Sequence, residues 1–319
     1  MRLLKLIFTL VILILSAWLV YANWSEITRA GELPLRTILL ACTFSLVNLW
    51  LSAEQIRACF QIEIKKSLTV GQWFRYFVAG RLANSVLAES GTIYRALQLK
   101  SAHAVYVHQF IAANAFAAWI NILLIIGIAG VVIPISGLFQ GSQAHWLYAG
   151  LFLVFAICAI LPWFLQKAFP VGMNHSASGN RFVVFSQNLL SVFQETRVSQ
   201  GTIPLVAILG IGNLTVATTV IFIISSSLLG EFTIAGAILL SLTLKLSTLV
   251  SLTPGNVGIR EAMMEVVLHL VVENIALGAG VLISLMLRAI GLLVVVPLGS
   301  IFLLLENRED GYNGKASKP

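Results

Sequence analysis

The sequence predicts an all-α polytopic membrane protein, and two observations carry that reading. Hydrophobic residues make up 58% of the 319 positions and charged residues only 10%, against about 25% charged in a soluble domain. The apolar residues are also gathered into runs near the ~20 residues a helix needs to cross a bilayer. Six runs read as full spans: 3–21, 34–53, 107–135, 144–165, 203–229 and 277–305. Two more stretches, 70–99 and 232–272, are apolar but interrupted. The prediction is six full spans plus two broken or re-entrant helical elements; dividing the second stretch into spans instead gives about eight.

The N-terminal run follows Arg2 and Lys5 and ends in Val20-Tyr21-Ala22, which imitates a cleavable signal. Its length exceeds the 7–15 residues of a signal core, so it reads as an uncleaved first span. The stretch 70–99 contains Arg75, Arg81, Asn84, Glu89 and Arg95. The stretch 232–272 contains Lys245, then Pro254-Gly255-Asn256-Val257-Gly258, then Arg260 and Glu261. Charges and helix breakers at membrane depth are tolerated only where they face protein or a water-filled cavity. Between the spans, 181–198 places Phe182, Phe185, Leu189 and Phe193 on one helical face, the pattern of an interfacial helix. The whole of 1–305 is expected to form one transmembrane domain, and the polar tail 306–319 to be disordered.

Charge distribution orients the chain. With the N-terminus in the cytoplasm and both broken stretches re-entrant, fourteen basic residues fall inside: Arg2, Lys5, Arg57, Lys65, Lys66, Arg75, Arg95, Lys100, Lys167, Arg181, Arg197, Arg308, Lys315 and Lys318. Only Arg29 and Arg36 fall outside. The positive-inside rule favours this arrangement, with both termini cytoplasmic in a bacterial-type inner membrane. The basic charge of +7 is thus topogenic, and nucleic acid is not an expected partner. The order of elements then repeats: span, span, re-entrant element, span, twice over in opposite orientations. That is the form of an inverted-topology repeat.

Pro254 stops a helix, the glycines permit tight turns, and a new helix begins near Arg260-Glu261. Its N-terminus offers free N–H groups and partial positive charge, to which Arg260 adds a full one, a setting suited to a phosphate. A Pro-Gly loop at the water interface is the plainer alternative.

The segment TPGNVGIREAMM resembles a signature of the transmembrane region of lysylphosphatidylglycerol synthases and their stand-alone flippase-like relatives. Pro254, Gly255, Gly258, Arg260 and Glu261 carry the match, with Asn256 where a glycine is frequent. Upstream, Gly80, Asn84, Gly91 and Arg95 match a second block in order and spacing, while Ala88 and Thr92 depart from it. Arg288, in the last span, is a third match. The resemblance implies movement of a lipid or lipid-linked headgroup between leaflets, without the aminoacyl-transferring domain. Glu89 is a candidate substitute for the acid absent at Thr92.

Four cations, Arg81, Lys245, Arg260 and Arg288, are thus placed at membrane depth with Glu89, Glu261 and Glu265 nearby. A charge there costs at least ~2.5–3.5 kcal/mol on insertion scales. One reading is a shared polar cavity in which an anionic headgroup supplies the countercharge, with Arg81, Asn84, Glu89, Arg95, Lys245, Arg260, Glu261 and Arg288 as its binding residues and Gly80, Gly91, Pro254, Gly255 and Gly258 as structural positions. The other is that Arg81–Glu89 and Arg260–Glu265 pair structurally while Lys245 and Arg288 snorkel.

The only aspartate is Asp310, so no acidic pair for a metal is expected. Cofactors, ATP loops and a hydrolytic triad are likewise not expected, and the chain is not read as an enzyme. Cys42, Cys59 and Cys158 form no CxxC pair; Cys42 and Cys158, inside apolar runs, suit packing, and His269 a packed core position. The leading expectation is a translocator whose partners are anionic or polyprenyl-phosphate-linked lipids. The alternative is an accessory subunit or anchor for a separate glycosyltransferase or lipid-modifying enzyme.

Overall fold

A computed structural model describes residues 33–60, 64, 67–87, 89–136, 150–160, 202–248, 259–272, 275 and 278–316, and all regular structure among them is helical. In chain order the helices are α1 (Leu35–Ala58), α2 (Val70–Val86), α3 (Ser90–His103), α4 (Val107–Ser136), α5 (Gly150–Ile160), α6 (Thr202–Leu229), α7 (Ile234–Ser247), α8 (Ile259–Val271) and α9 (Ala279–Ala316). The span read at 3–21, the interfacial helix at 181–198 and the Pro-Gly segment at 254–258 lie outside the described residues.

α1, α4, α6 and α9 as far as Leu305 are long and apolar enough to cross a membrane. They match four of the six spans read from sequence; of the span at 144–165, α5 is the described part. The backbone of α9 is helical through Ala316, past the Leu305 boundary drawn from sequence.

Both interrupted stretches are helical hairpins. The 17 and 14 residues of α2 and α3 reach only about 25 and 21 Å at 1.5 Å per residue, short of the ~30 Å hydrocarbon core. They run antiparallel: Asn84 accepts the Gly91 N–H at 2.6 Å near the tip, and Tyr76 packs on His103 with ring centroids 6.1 Å apart near the base. α2 opens with a capping box between Thr69 and Gln72 and closes at Leu87, which turns extended. Glu89 then enters α3 in the left-handed region, φ 62°. α7 and α8 repeat the plan. Thr233 caps α7 by accepting the Gly236 N–H at 3.1 Å, and Gly236 lies against Val271 at the far end of α8.

The packing is reciprocal between the halves. α1 lies along α6, α2 against α9, and α7 against α4. α1 and α6 are antiparallel, since Asn48 meets Asn213 while Gln55 meets Val206. These second spans of the two halves therefore point in opposite directions, as an inverted repeat requires of that pair. Two main cores form, each drawn mostly from one half. Trp73, Phe77, Phe110 and Phe116 centre the first, and Ile221, Leu240, Met264 and Met286 the second. Trp73 is fully buried and its indole N–H donates to the Ala53 carbonyl at 2.6 Å, which satisfies its one polar atom.

Glu265 joins α8 to α9. Its carboxylate accepts the backbone N–H groups of Gly278 and Gly280 at 2.7 Å and of Val281 at 3.1 Å, capping the orphan donors and positive end of α9. Gly280 lies so close that a Cβ there would stand 2.5 Å from the Glu265 Cα. His269 is exposed and hydrogen-bonds Glu265 at 2.9 Å. This corrects the expectation of a packed core histidine: one turn further along α8, it lies on the side that carries Glu265 rather than on the Met264–Leu268 face. Trp119 ties α4 to α5, its indole N–H donating to the Cys158 carbonyl at 2.8 Å.

Candidate functional site

A cavity of about 240 Å³ opens where the two hairpins approach each other. Its cations come from three helices: Arg81 of α2, Lys245 of α7 and Arg260 of α8. Ser45, Asn48 and Ser52 of α1 and Thr248 at the end of α7 add polar groups, and Gly291 of α9 leaves part of the wall without a side chain. No carboxylate is among the described lining residues.

Each cation is held differently. The Arg81 guanidinium stands 5.3 Å from the centroid of the Phe77 ring one turn earlier, a cation–π contact that orients the charge without neutralising it. Lys245 donates to the Asn213 side-chain carbonyl, whose amide in turn donates to the Asn48 backbone carbonyl at 2.9 Å and to the Ser52 hydroxyl at 2.6 Å. This chain crosses α7, α6 and α1, and contains no negative charge. Arg260 has a buried Nε with no hydrogen-bond partner among the described residues. It lies within electrostatic reach of Arg288, which repels it, and of Glu261, which attracts it.

The carboxylates near the cavity are engaged elsewhere. Glu261 is buried and accepts from Arg288 at 3.0 Å and from the Ser284 hydroxyl at 3.3 Å. Glu265 is occupied by the start of α9 and by His269. The alternative reading pairs Arg260 with Glu265; the ion pair present joins Glu261 to Arg288 instead.

The Gly80, Asn84, Gly91 and Arg95 set is one packed constellation in the first hairpin. A Cβ on Gly91 would stand 1.8 Å from the Gly80 carbonyl oxygen and 2.8 Å from the Asn84 side chain. Arg95 is 6% exposed; its Nε donates to the Gly91 carbonyl at 3.1 Å, and its guanidinium lies between the Phe77 and Phe110 rings at 5.2 and 5.7 Å. Arg81 and Arg95 therefore share the Phe77 ring, Arg81 lining the cavity and Arg95 within the packing of the hairpin. Asn84, Glu89 and Arg95 are not in the cavity lining. Glu89 is exposed at the N-terminus of α3, where its charge acts on Arg95. Pro254, Gly255 and Gly258 lie outside the described residues, in the segment bracketed by the lining residues Thr248 and Arg260.

Sequence reasoning attended to the charges and missed Asn48, Ser52 and Asn213, which hold Lys245 and complete the wall. Their signal was an isolated asparagine inside each of two otherwise apolar runs.

The family model for the lysylphosphatidylglycerol synthase TM region matches residues 2–299. The chain belongs to this family. The match extends over every described helix as far as Gly299 of α9, so the two hairpins and the cavity between them are parts of the lysylphosphatidylglycerol synthase TM region itself. No curated protein and no solved structure matches the chain. Family membership and the four long apolar helices make this a multi-pass membrane protein with a lipid-related function.

Proposed function

We propose that the chain is a translocator of a lipid or lipid-linked headgroup, acting in a bacterial-type cytoplasmic membrane and binding its anionic cargo in the cavity between the hairpins. The observation that carries this reading is the meeting of Arg81, Lys245 and Arg260 on one cavity with no carboxylate among the described lining residues. Uncompensated cations gathered at membrane depth are unfavourable and persist where function requires them. An anionic headgroup would supply the missing countercharge, so the free energy withheld in the empty cavity becomes binding energy for the cargo. The antiparallel pairing of α1 and α6 supports transport in the same way, since halves of opposite direction can exchange roles as access alternates.

In this reading the protein makes and breaks no covalent bond. Arg81, Lys245 and Arg260 bind the phosphate; Phe77 and Asn213 orient Arg81 and Lys245; Glu261 prevents Arg288 from adding a fourth unbalanced charge. Both termini face the cytoplasm, as the basic residues of the loops favour.

The test is a lipid-translocation assay in proteoliposomes with fluorescent phosphatidylglycerol, reading the fraction accessible to an impermeant quencher. Wild-type protein should raise that fraction well above protein-free vesicles, and Arg260→Gln should bring it back to their level. Transport by the variant at the wild-type rate would overturn the assignment of the cavity.

A further inference from the structure

We infer that the cavity selects a phosphate ester whose polar portion carries hydroxyl groups and no amine, so that it rejects aminoacylated and other ammonium-bearing headgroups. This rests on the reading of the cavity as a headgroup site and adds the chemical class of the headgroup. It runs against the expectation raised by the family name, because a lysyl headgroup is cationic.

Three observations carry it. The first is charge. An ammonium entering the cavity meets Arg81, Lys245 and Arg260 and no carboxylate among the described lining residues. The two acids on α8 are spoken for, Glu261 by Arg288 and Ser284, and Glu265 by the start of α9. The segment 249–258, which joins Thr248 to the helix of Arg260, contains no aspartate or glutamate. Like charges brought together without a mediator are unfavourable enough to reject a ligand.

The second is the pair of unmet hydrogen-bonding atoms. The Arg260 Nε is a buried donor and the Asn48 Oδ1 a buried acceptor, and neither has a partner among the described residues. Both atoms lie beneath the surface of a cavity that their residues line, so a turn of each side chain would bring the donor to a phosphate oxygen and the acceptor to a hydroxyl. A phosphate monoester without a hydroxylated substituent answers only the first. A buried polar group left unmet makes a site discriminate against the ligand that lacks its partner.

The third is size. The volume of about 240 Å³ lies below the range of about 300–1,000 Å³ typical of pockets that enclose a whole drug-sized molecule. It accommodates a compact headgroup and leaves acyl chains outside.

The experiment uses the full chain in neutral detergent, with binding read as the rise in thermal midpoint on titration. The probes are phosphatidylglycerol, lysyl-phosphatidylglycerol, phosphatidic acid and water-soluble glycerol 3-phosphate. Phosphatidylglycerol should bind at least about tenfold more tightly than the lysyl lipid, and more tightly than phosphatidic acid. Asn48→Leu should remove the second preference and keep the first. Equal or tighter binding of the lysyl lipid would overturn the inference while leaving the headgroup site intact. Failure of every anionic lipid to bind would instead overturn the proposed function. Glycerol 3-phosphate binding as tightly as phosphatidylglycerol would keep the chemistry and assign it to a free phosphate ester. The lipid comparison needs only wild-type protein, so it decides the inference even if Asn48→Leu does not fold.

Discussion

Gly80 and Gly91 meet backbone to backbone across the first hairpin, closely enough that a Cβ on Gly91 would stand 1.8 Å from the Gly80 carbonyl oxygen. No flexible side chain can yield at that contact, so Gly91→Ala must move α3 off α2. We expect it to destabilise the protein by about 1–3 kcal/mol or more, read as a lower thermal midpoint in detergent. Gly130→Ala is the control, because a Cβ there meets nothing within 4 Å, and its midpoint should hold or rise slightly. Equal midpoints for the two variants would rule out this hairpin packing.

The Glu261–Arg288 pair predicts a strong coupling. Glu261→Gln leaves the partly buried Arg288 beside Arg260 without its countercharge; removing one partner of a fully buried pair costs roughly 3–5 kcal/mol, which is the upper limit here. Glu261→Gln with Arg288→Met should recover most of that loss. A double-mutant cycle on thermal or denaturant stability measures the coupling, and strictly additive effects would mean that the pair contributes nothing.

Lys245 and Arg81 predict opposite changes in stability and function. Neither meets a carboxylate in the cavity lining, so Lys245→Met and Arg81→Met should leave the empty protein as stable as wild type or raise its stability, by up to the ~2.5–3.5 kcal/mol scale of a charge at membrane depth. The same substitutions should remove lipid-induced stabilisation and translocation. A fall in stability of the empty protein for both variants would mark these cations as structural.

Gly291 offers a test that changes no charge. It lines the cavity, and a Cβ there meets nothing within 4 Å. Gly291→Ala should therefore stabilise α9 by about 0.5–1 kcal/mol through helix propensity alone. Gly291→Leu should fold equally well but fill the cavity and abolish translocation. Wild-type transport by the leucine variant would place the pathway elsewhere.

Much of this architecture is legible along the chain because it depends on local signals. Four long spans appear as apolar runs, and the hairpins as runs broken near Glu89 and after Lys245. The pattern of Gly80, Asn84, Gly91 and Arg95 is readable as a motif, but its cause is not. These residues touch only when α3 folds back on α2, and nothing in their spacing states that a Cβ would collide. The partner of each acid is hidden for the same reason, and the alternative reading that paired them went astray there. Proximity in sequence suggested Arg260–Glu265, whereas Arg288, on the next helix, reaches Glu261. Asn48 and Asn213 were passed over because an amide in an apolar run is a weaker signal than a charge, although the two stand together once α1 and α6 lie antiparallel.

The grip of Glu265 on the first turn of α9 has a mechanical meaning. With three backbone N–H groups held by one carboxylate and glycine-tight contact behind them, α8 and the near end of α9 form a single lever. Arg260 and Arg288 ride on that lever together with the Glu261 that balances Arg288, while Arg81 and Lys245 are mounted on α2 and α7. In the proposed translocator, a movement of α8 together with α9 would change the distance of Arg260 from the other two cavity cations and leave the Glu261–Arg288 pair undisturbed. If the cavity holds an anion as proposed, drawing Arg260 away from Arg81 and Lys245 would release it with the Glu261–Arg288 pair kept whole.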